Sequence, residues 1–198
     1  MRFLLINSSP RANGVSESAL GAAARVFQLG GAEVEFFELG AAPRSACTAC
    51  GKCKTNGKCA IGDIDELTEK LRSASGIIVA TPTHYAGAVG TLLSVLSRVC
   101  FSAKDVFDGK PVACIAAARR AGCVSASEEV SRFFSFTGAI GVYAGYPPHI
   151  YGGEHDVEGI GYVSAIAERM LWLARVLKCA EDAGLVAPPP KSITRVNI

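Results

Sequence analysis

The chain has 198 residues, of which 49% are hydrophobic and 19% are charged. This length suits one domain with a full hydrophobic core, and the composition excludes a disordered or fibrous chain. Lys and Arg (20) nearly balance Asp and Glu (18), and no basic run exceeds a pair, so we expect no binding to nucleic acid or to a membrane. The expected partners are small molecules.

The N-terminal segment MRFLLINSSP has an apolar run that is too short for a signal peptide, and no stretch approaches the roughly 18 apolar residues of a membrane span. We therefore expect a cytoplasmic protein. In a reducing compartment the eight cysteines are not expected to form four disulfides.

Short apolar segments alternate with amphipathic ones along the chain. The pattern predicts strands at 1–7, 33–39, 76–82, 111–118 and 138–146, and helices at 19–30, 63–74, 91–99, 127–136 and 157–183. Such alternation predicts an α/β fold with a doubly wound, five-stranded parallel sheet. One domain is expected over 1–184, with a Cys-rich insertion at 44–62 and an extended, proline-rich tail at 185–198.

The first predicted strand leads into the loop NSSPRANGVSES, directly before a helix. Ligands of open parallel sheets bind at such an edge, where hydroxyls and helix N–H groups can hold a phosphate dianion. The sequence fits neither the P-loop nor the dinucleotide motif, so a mononucleotide suits the loop better than a triphosphate. A serine-capped loop without a ligand is the alternative. The candidate residues are Ser8, Ser9, Pro10, Arg11, Asn13, Gly14, Ser16 and Ser18.

This loop resembles the phosphate loop of the flavodoxin-like NAD(P)H-dependent FMN reductase family, with Asn7-Ser8-Ser9 in place of the more usual Asn-Gly-Ser. The resemblance implies a flavodoxin-like domain with strand order 2-1-3-4-5. It also implies FMN as the cofactor and NAD(P)H as the co-substrate.

The segment TPTHYAGAVG follows the third predicted strand and resembles the family's loop around the isoalloxazine ring. We expect Pro82 to stiffen the backbone, Gly87 to adopt an unusual dihedral angle and exposed amides to bond the ring. His84 is interpreted as a polar rim residue rather than a proton donor. The resemblance implies ring contacts from Thr81, Pro82, Thr83, His84, Tyr85 and Gly87.

The segment AARRAGC follows the fourth predicted strand and aligns with a segment that closes the family's flavin pocket. Arg119, Arg120 and Gly122 are candidates for the ring edge or for a phosphate of the nicotinamide nucleotide. A solvated arginine pair is the alternative. The later segment GGEHDVEG is interpreted as turn glycines before the last helix, with Asp156 and Glu158 at its N-terminus; reach into a neighbouring active site is the alternative.

Four cysteines, Cys47, Cys50, Cys53 and Cys59, follow the pattern C-x2-C-x2-C-x5-C. The spacing is tighter than in structural zinc sites and is similar to that of ferredoxin loops, and neighbouring lysines favour thiolates. The pattern resembles that of the iron–sulfur flavoproteins, a branch of the same family, which implies a 4Fe-4S cluster. Free redox-sensing thiols and a zinc site are the alternatives for these four cysteines. Cys100, Cys114, Cys123 and Cys179 are expected to be small buried groups.

Two functions follow from these features. The first is an FMN-dependent oxidoreductase that takes a hydride from NAD(P)H and passes electrons to a small-molecule acceptor or ferredoxin, with the cluster as a possible relay. The alternative is a non-catalytic, flavodoxin-like electron carrier fed by ferredoxin, which the net charge of +2 disfavours. The resemblance also implies a homodimer or homotetramer, with the apolar last helix and the tail as candidate interfaces.

Overall fold

A computed structural model describes residues 1–153 and 155–188. The strands in this part of the chain are β1 (Arg2–Asn7), β2 (Glu33–Glu38), β3 (Gly76–His84), β4 (Gly87–Ala88), β5 (Pro111–Ala118), β6 (Ile140–Gly141) and β7 (His149–Tyr151). The helices are α1 (Val15–Leu29), α2 (Cys53–Asn56), α3 (Asp65–Ser73), α4 (Gly90–Ala103), α5 (Cys123–Ser135) and α6 (Val157–Asp182), and a 3-10 turn covers Lys104–Phe107.

The main sheet has the order β2-β1-β3-β5-β6, and these neighbours are parallel. In the register, Leu5 lies between Phe36 of β2 and Ile78 of β3. The central strands are apolar on both faces because helices cover both sides, as the uninterrupted hydrophobic runs predicted. The doubly wound, flavodoxin-like fold class is thereby confirmed.

The predicted fifth strand at 138–146 is wrong as a single strand. Two short strands share the outer edge of β5: β6 pairs with Pro111 and Val112, and β7 pairs with residues 116–118. The chain between them leaves the sheet. Glycine weakens a strand and proline cannot donate to its ladder, and this segment contains Gly145 in a left-handed conformation followed by Pro147 and Pro148. This division and the short strand β4, which pairs antiparallel with β3, give the described part of the sheet seven strands rather than five.

Two hydrophobic layers enclose the sheet. On one face α1 and α6 pack over β1 and β5, and the rings of Phe3 and Phe27 stack with centroids 3.8 Å apart. On the other face α3, α4 and α5 bury a second cluster that includes Leu71, Val95 and Phe134. The carboxyl ends of the strands are left uncovered by either layer, and the loops there form the site described below.

Two helices begin four residues earlier than the hydrophobic pattern predicted. α1 starts at Val15 instead of 19, and α5 starts at Cys123 instead of 127, in each case directly after a glycine. The Ser- and Glu-containing first turn of α1 hid its start, and the first turn of α5 directly follows the segment AARRAGC, which was expected to be a loop. As a result, both helix N-termini lie at the carboxyl edge of the sheet.

The C-terminal end of the described chain is short. Residues 185–188 follow α6 without regular structure, and the rest of the expected tail, 189–198, lies outside the described residues. Within residues 1–153 and 155–188, no helix is both long enough and apolar enough to cross a membrane.

Candidate functional site

Four loops at the carboxyl edge line one cavity of about 870 Å³. They follow β1, β3, β5 and β7, so the two loops singled out in the sequence face the same space. Of the predicted residues, the lining includes Ser9, Pro10, Arg11, Asn13, Gly14, Ser16, Pro82, Thr83, His84 and Arg119. The sequence did not point to Ala12, Val15, Ala117, Ala118, Gly152, Gly153 and His155, which also line it.

The N-terminus of α1 opens into this cavity. Gly14 is the N-cap residue, its backbone is extended and no side chain caps the helix. Asn13 has a left-handed conformation (φ 54°), and its N–H donates to the Glu17 carboxylate at 2.6 Å, which turns Glu17 back along the loop. The first-turn N–H groups and the positive end of the helix dipole are thus available to an anion, with the Ser16 residue beside them.

The first half of the loop is fixed to the sheet. Ser8 donates to the Ala80 carbonyl oxygen from both its backbone N–H (3.0 Å) and its hydroxyl (2.9 Å). The Ser9 N–H donates to Asn7 Oδ1 at 3.0 Å. Ser8 therefore joins β1 to β3 instead of lining the cavity. Ser18, also a candidate, is exposed on α1 and lies outside the lining.

A carboxylate at the end of β2 borders this loop. Burial raises the pKa of Glu38 above its ordinary value, the nearby Glu17 carboxylate raises it further, and the Asn7 amide opposes both effects.

The second loop is a tight antiparallel hairpin. Thr83 pairs with Ala88 and His84 with Gly87, and the two tip residues, Tyr85 (φ 48°) and Ala86 (φ 62°), are both left-handed. The unusual dihedral angles expected at Gly87 are thus found at Tyr85 and Ala86, and that expectation is wrong. Left-handed conformations cost non-glycine residues roughly 1–3 kcal/mol each, so surrounding contacts must enforce them.

Three contacts hold the hairpin in this shape. The Ala88 N–H donates to the Glu129 carboxylate of α5 at 2.7 Å, and the Val89 N–H donates to the buried Thr81 hydroxyl at 3.2 Å. Gly122, which is left-handed (φ 96°), lies so close that an added Cβ would be 2.6 Å from Ala86 Cα. Thr81 and Gly122 therefore shape the hairpin without lining the cavity. Glu129 carried no signal in the sequence, because its role depends on the packing of α5 against β4.

A second cavity, of about 500 Å³, adjoins the first and shares Thr83, Ala118 and Arg119 with it. Arg120 and the fully exposed Tyr85 complete its polar and aromatic rim. An exposed tyrosine ring and two guanidinium groups can bind a flat, negatively charged molecule.

The loop after β7 closes the large cavity from the side. Gly152 (φ 74°) and Gly153 (φ 127°) are left-handed or nearly so and line the cavity together with His155. Asp156 accepts from the Gly159 N–H at 2.9 Å and from the Tyr151 N–H at 2.7 Å, and caps α6 as expected. The lining role of His155 was missed, since its segment had been interpreted as a turn only.

The four cysteines of the insertion are not buried, and Cys50 is the most exposed of them. The backbone N–H of Lys52 is the main group that lowers the pKa of Cys50, with the Thr48 hydroxyl in support. The Cys53 thiol donates to the Phe101 carbonyl oxygen of α4 at 3.5 Å. Four thiols in one segment fit a thiophilic metal centre in kind and number. Within residues 1–153 and 155–188, however, no three Cys, His, Asp or Glu side chains are gathered as a metal-ligand set.

Both ends of the cysteine segment meet at an ion pair between the buried Arg98 and the partly exposed Asp63 carboxylate. Arg98 of α4 is 1% exposed and contacts the Asp63 carboxylate through Nη1 and Nη2, the second bond being 3.1 Å long. Arg44 donates to the Asp63 carbonyl oxygen at 2.9 Å and lies 3.3 Å from its carboxylate. Arg98 lowers the pKa of Asp63 most, by its hydrogen bond. The Asp63 hydrogen bond chiefly raises the pKa of Arg98, and Cys59 adds to it.

The other cysteines divide by burial. Burial raises the pKa of Cys114 to about 12 and that of Cys100 to about 11. The Cys123 thiol is enclosed and donates to the Ala116 carbonyl oxygen at 3.4 Å, so it acts as a small core group. Cys179 is exposed, and the expectation that it is buried is wrong.

Comparison with known proteins connects these features to one family. The family model described as NADPH-dependent FMN reductase matches residues 1–147. An iron–sulfur flavoprotein of Methanocaldococcus jannaschii is 28% identical over 159 residues, which cover 77% of this chain and 81% of that protein. An iron–sulfur flavoprotein of Archaeoglobus fulgidus is 32% identical over 146 residues, which cover 71% of this chain and 74% of that protein.

Among solved structures, the WrbA-like flavodoxin of Agrobacterium tumefaciens superposes with a TM-score of 0.63 at 15% identity, covering 88% of this chain and 98% of that chain. At this identity the likeness concerns the fold alone. It agrees with the doubly wound α/β fold of this chain.

Replacing Gly122 with Ala tests the hairpin. The added Cβ would meet Ala86, so we expect the hairpin to shift and the affinity for FMN, measured by fluorescence quenching, to fall at least about tenfold, or about 1.4 kcal/mol. Gly145→Ala is the matched control, because Gly145 is equally left-handed (φ 92°) but has no atom within 4 Å of the added group. An equal loss in both variants would contradict this role for the hairpin.

Replacing Ser16 with Ala tests the anion site. A hydrogen bond to a charged group contributes about 1.5–3 kcal/mol, so we expect FMN to bind roughly 10- to 100-fold more weakly while riboflavin, which lacks the phosphate, binds as before. Ser18→Ala, on the exposed side of the same helix, should leave both affinities unchanged. Equal weakening of FMN and riboflavin in Ser16→Ala would place the phosphate elsewhere.

Proposed function

This chain belongs to the NADPH-dependent FMN reductase family, in its iron–sulfur flavoprotein branch, and we propose that it takes a hydride from NAD(P)H onto FMN and passes electrons to an acceptor. It is an FMN-dependent oxidoreductase. The observation that carries the proposal is the meeting of an uncapped helix N-terminus and a strained hairpin at one cavity of about 870 Å³. Its volume lies in the range of cofactor sites.

The residues around the cavity fit FMN in their chemistry. The first-turn N–H groups of α1, the Ser16 hydroxyl and the Arg11 guanidinium would hold the phosphate, which needs no metal ion in such a setting. Pro82, Thr83 and His84 would contact the isoalloxazine ring along the hairpin. The rigidity of the hairpin, enforced by Glu129 and Gly122, would orient the ring.

The adjoining cavity is our proposed site for NAD(P)H. Arg119 and Arg120 supply positive charge for its phosphates, and the exposed Tyr85 ring offers a surface for a flat base. Because the two cavities share Thr83, Ala118 and Arg119, a molecule bound in one would contact a molecule bound in the other.

When bound, FMN supplies the redox chemistry, accepting a hydride and releasing electrons. The chain itself then has to bind, orient and enclose the two partners, and needs no catalytic acid or base. His84 is exposed at the hairpin, which agrees with its interpretation as a rim residue. We also propose a cytoplasmic location and a homo-oligomer, and ferredoxin or a small molecule as the acceptor.

The cysteine segment is a separate part of the proposal. We propose that Cys47, Cys50, Cys53 and Cys59 hold a 4Fe-4S cluster, with zinc or free redox-sensing thiols as the competing states. The tight spacing supports it, as do the names of the relatives, which are iron–sulfur flavoproteins. The four thiols are not gathered in the structure, so the segment would have to close around the cluster.

Stopped-flow mixing of the FMN-loaded protein with NADPH or NADH tests the enzymatic role. We expect the flavin absorbance to bleach on the timescale of turnover. Arg120→Ala should raise the NAD(P)H concentration that half-maximal bleaching requires without lowering the affinity for FMN, because Arg120 lines only the adjoining cavity. Rapid reduction by ferredoxin with no bleaching by either nucleotide would identify a flavodoxin-like carrier instead.

Anaerobic purification followed by iron, sulfide and zinc analysis tests the cysteine segment. We expect about four iron and four sulfide per chain with broad charge-transfer absorbance, and loss of both in Cys59→Ser. Cys179→Ser is the control, since Cys179 is exposed on α6, outside the segment. Stoichiometric zinc, or a metal-free protein with reactive thiols, would rule out the cluster.

A further inference from the structure

The base of the cysteine segment carries more positive than negative charge. Two guanidinium groups, Arg44 and Arg98, pair with the same Asp63 carboxylate, which leaves a net charge of +1 at this point. Among the described residues, Asp63 is the acidic partner that the two arginines share. Of the three side chains, Arg98 is shielded from water, whereas Asp63 is 36% exposed. A buried charge is costly unless an anion compensates it.

The two arginines also have unused donors. Nε of Arg98 and Nε of Arg44 are both buried and have no hydrogen-bond partner in the structure. Arg98 is the largest fully buried side chain of the protein, with 1% of its surface exposed, so water does not replace the missing acceptor. A buried N–H without an acceptor costs about 1–3 kcal/mol. The site is therefore built for an acceptor that carries negative charge.

The cysteine nearest to Asp63 in the sequence is Cys59, four residues before it. Cys59 is half-buried and packs against the apolar cluster beneath α4. Cys59 also raises the pKa of Arg98, after the larger effect of Asp63. Arg98 thus contacts the end of the segment through Asp63, close in sequence to its last cysteine.

We propose that Arg98, supported by Arg44, is a positioning and charge-compensating residue for a thiolate-bound metal centre on the cysteine segment. It fixes the fourth ligand, Cys59, against α4, and its positive charge offsets the negative charge of the thiolates. This inference rests on the cysteine centre proposed above and goes beyond it, because it assigns the centre's affinity and reduction potential to residues outside the cysteine motif.

Removing the Arg98 charge and removing the Asp63 charge are expected to shift the reduction potential of the centre in opposite directions. Removing the Arg98 charge disfavours the more negative, reduced form of the centre, so the reduction potential falls. Neutralising Asp63 leaves both arginine charges uncompensated, so the potential rises. A purely mechanical role would weaken metal binding in both variants without this reversal of sign.

The experiment uses the anaerobically purified full chain and the variants Arg98→Met, Arg98→Lys and Asp63→Asn. Co²⁺ is the first probe, because its thiolate charge-transfer bands report binding without a cluster. We expect Arg98→Met to bind Co²⁺ about 10- to 100-fold more weakly, the usual effect of losing a residue that supports a metal ligand. Arg98→Lys, which keeps the charge, should recover part of this loss.

Spectroelectrochemical titration of the reconstituted iron–sulfur form is the second probe. We expect a lower potential in Arg98→Met, a higher one in Asp63→Asn and a nearly unchanged one in Arg98→Lys. Arg72→Met is the control, because Arg72 forms a comparable but exposed ion pair with Asp105 at 2.7 Å, apart from the cysteine segment. It should change neither readout.

Three results would overturn the inference. The first is a folded Arg98→Met protein, judged by circular dichroism, with unchanged Co²⁺ affinity and potential. The second is a shift of the reduction potential in the same direction in Arg98→Met and Asp63→Asn, which would leave Arg98 a purely mechanical role. If Arg98→Met does not fold, the test uses Arg98→Lys and Asp63→Asn. The third is a wild-type protein that binds neither Co²⁺ nor iron, which removes the cysteine centre as well but leaves reduction of FMN by NADPH untouched.

Discussion

The double hydrogen bond from Ser8 to the Ala80 carbonyl oxygen is the contact on which the arrangement of the site depends. The Ser8 backbone N–H and hydroxyl both donate to this oxygen, at 3.0 and 2.9 Å, in a buried setting. The bond continues the β1–β3 pairing by one residue beyond the last pair, Asn7 with Ala80. It thereby holds the start of the phosphate-binding loop beside the strand that leads into the hairpin.

The two sides of the cavity, which follow β1 and β3, are built in different ways. On the β1 side the chain passes through a left-handed Asn13 into a helix whose first turn has no side-chain cap, so its binding capacity comes from backbone N–H groups. On the β3 side the binding surface is a hairpin with two strained residues, Tyr85 and Ala86. Strain of this kind is maintained by neighbours, here Glu129 and Gly122 of the β5–α5 unit. The β5–α5 unit thus determines the shape of the hairpin that follows β3.

The sequence predicted those parts of the protein that depend on local pattern. Apolar runs predicted the strands β1, β3 and β5, and loop motifs at strand ends predicted most of the cavity lining.

Prediction from the sequence failed where the structure depends on residues that are distant in the chain. The segment 138–146 looks like a strand, but its glycines and the following prolines divide it. A left-handed conformation was expected at Gly87, whereas tertiary contacts impose it on the two residues before it. Arg98 appeared as one charge on an apolar helix, and its partner Asp63, 35 residues away in the sequence, was not evident.

Helix α4 fixes the distance between the cavity and the cysteine segment, the two candidate sites. It begins at Gly90, directly after the β4 strand of the hairpin, and carries Arg98 eight residues later. With a rise of 1.5 Å per residue, the end of the hairpin and the base of the cysteine segment are separated by about 12 Å along the helix axis. The helix is packed against the core through Leu92, Val95, Leu96 and Val99, so this separation cannot vary without repacking the core. The segment 44–62 is remote from the hairpin in sequence. The Arg98–Asp63 ion pair and the hydrogen bond from the Cys53 thiol to the Phe101 carbonyl oxygen attach this part of the chain to the same rigid helix.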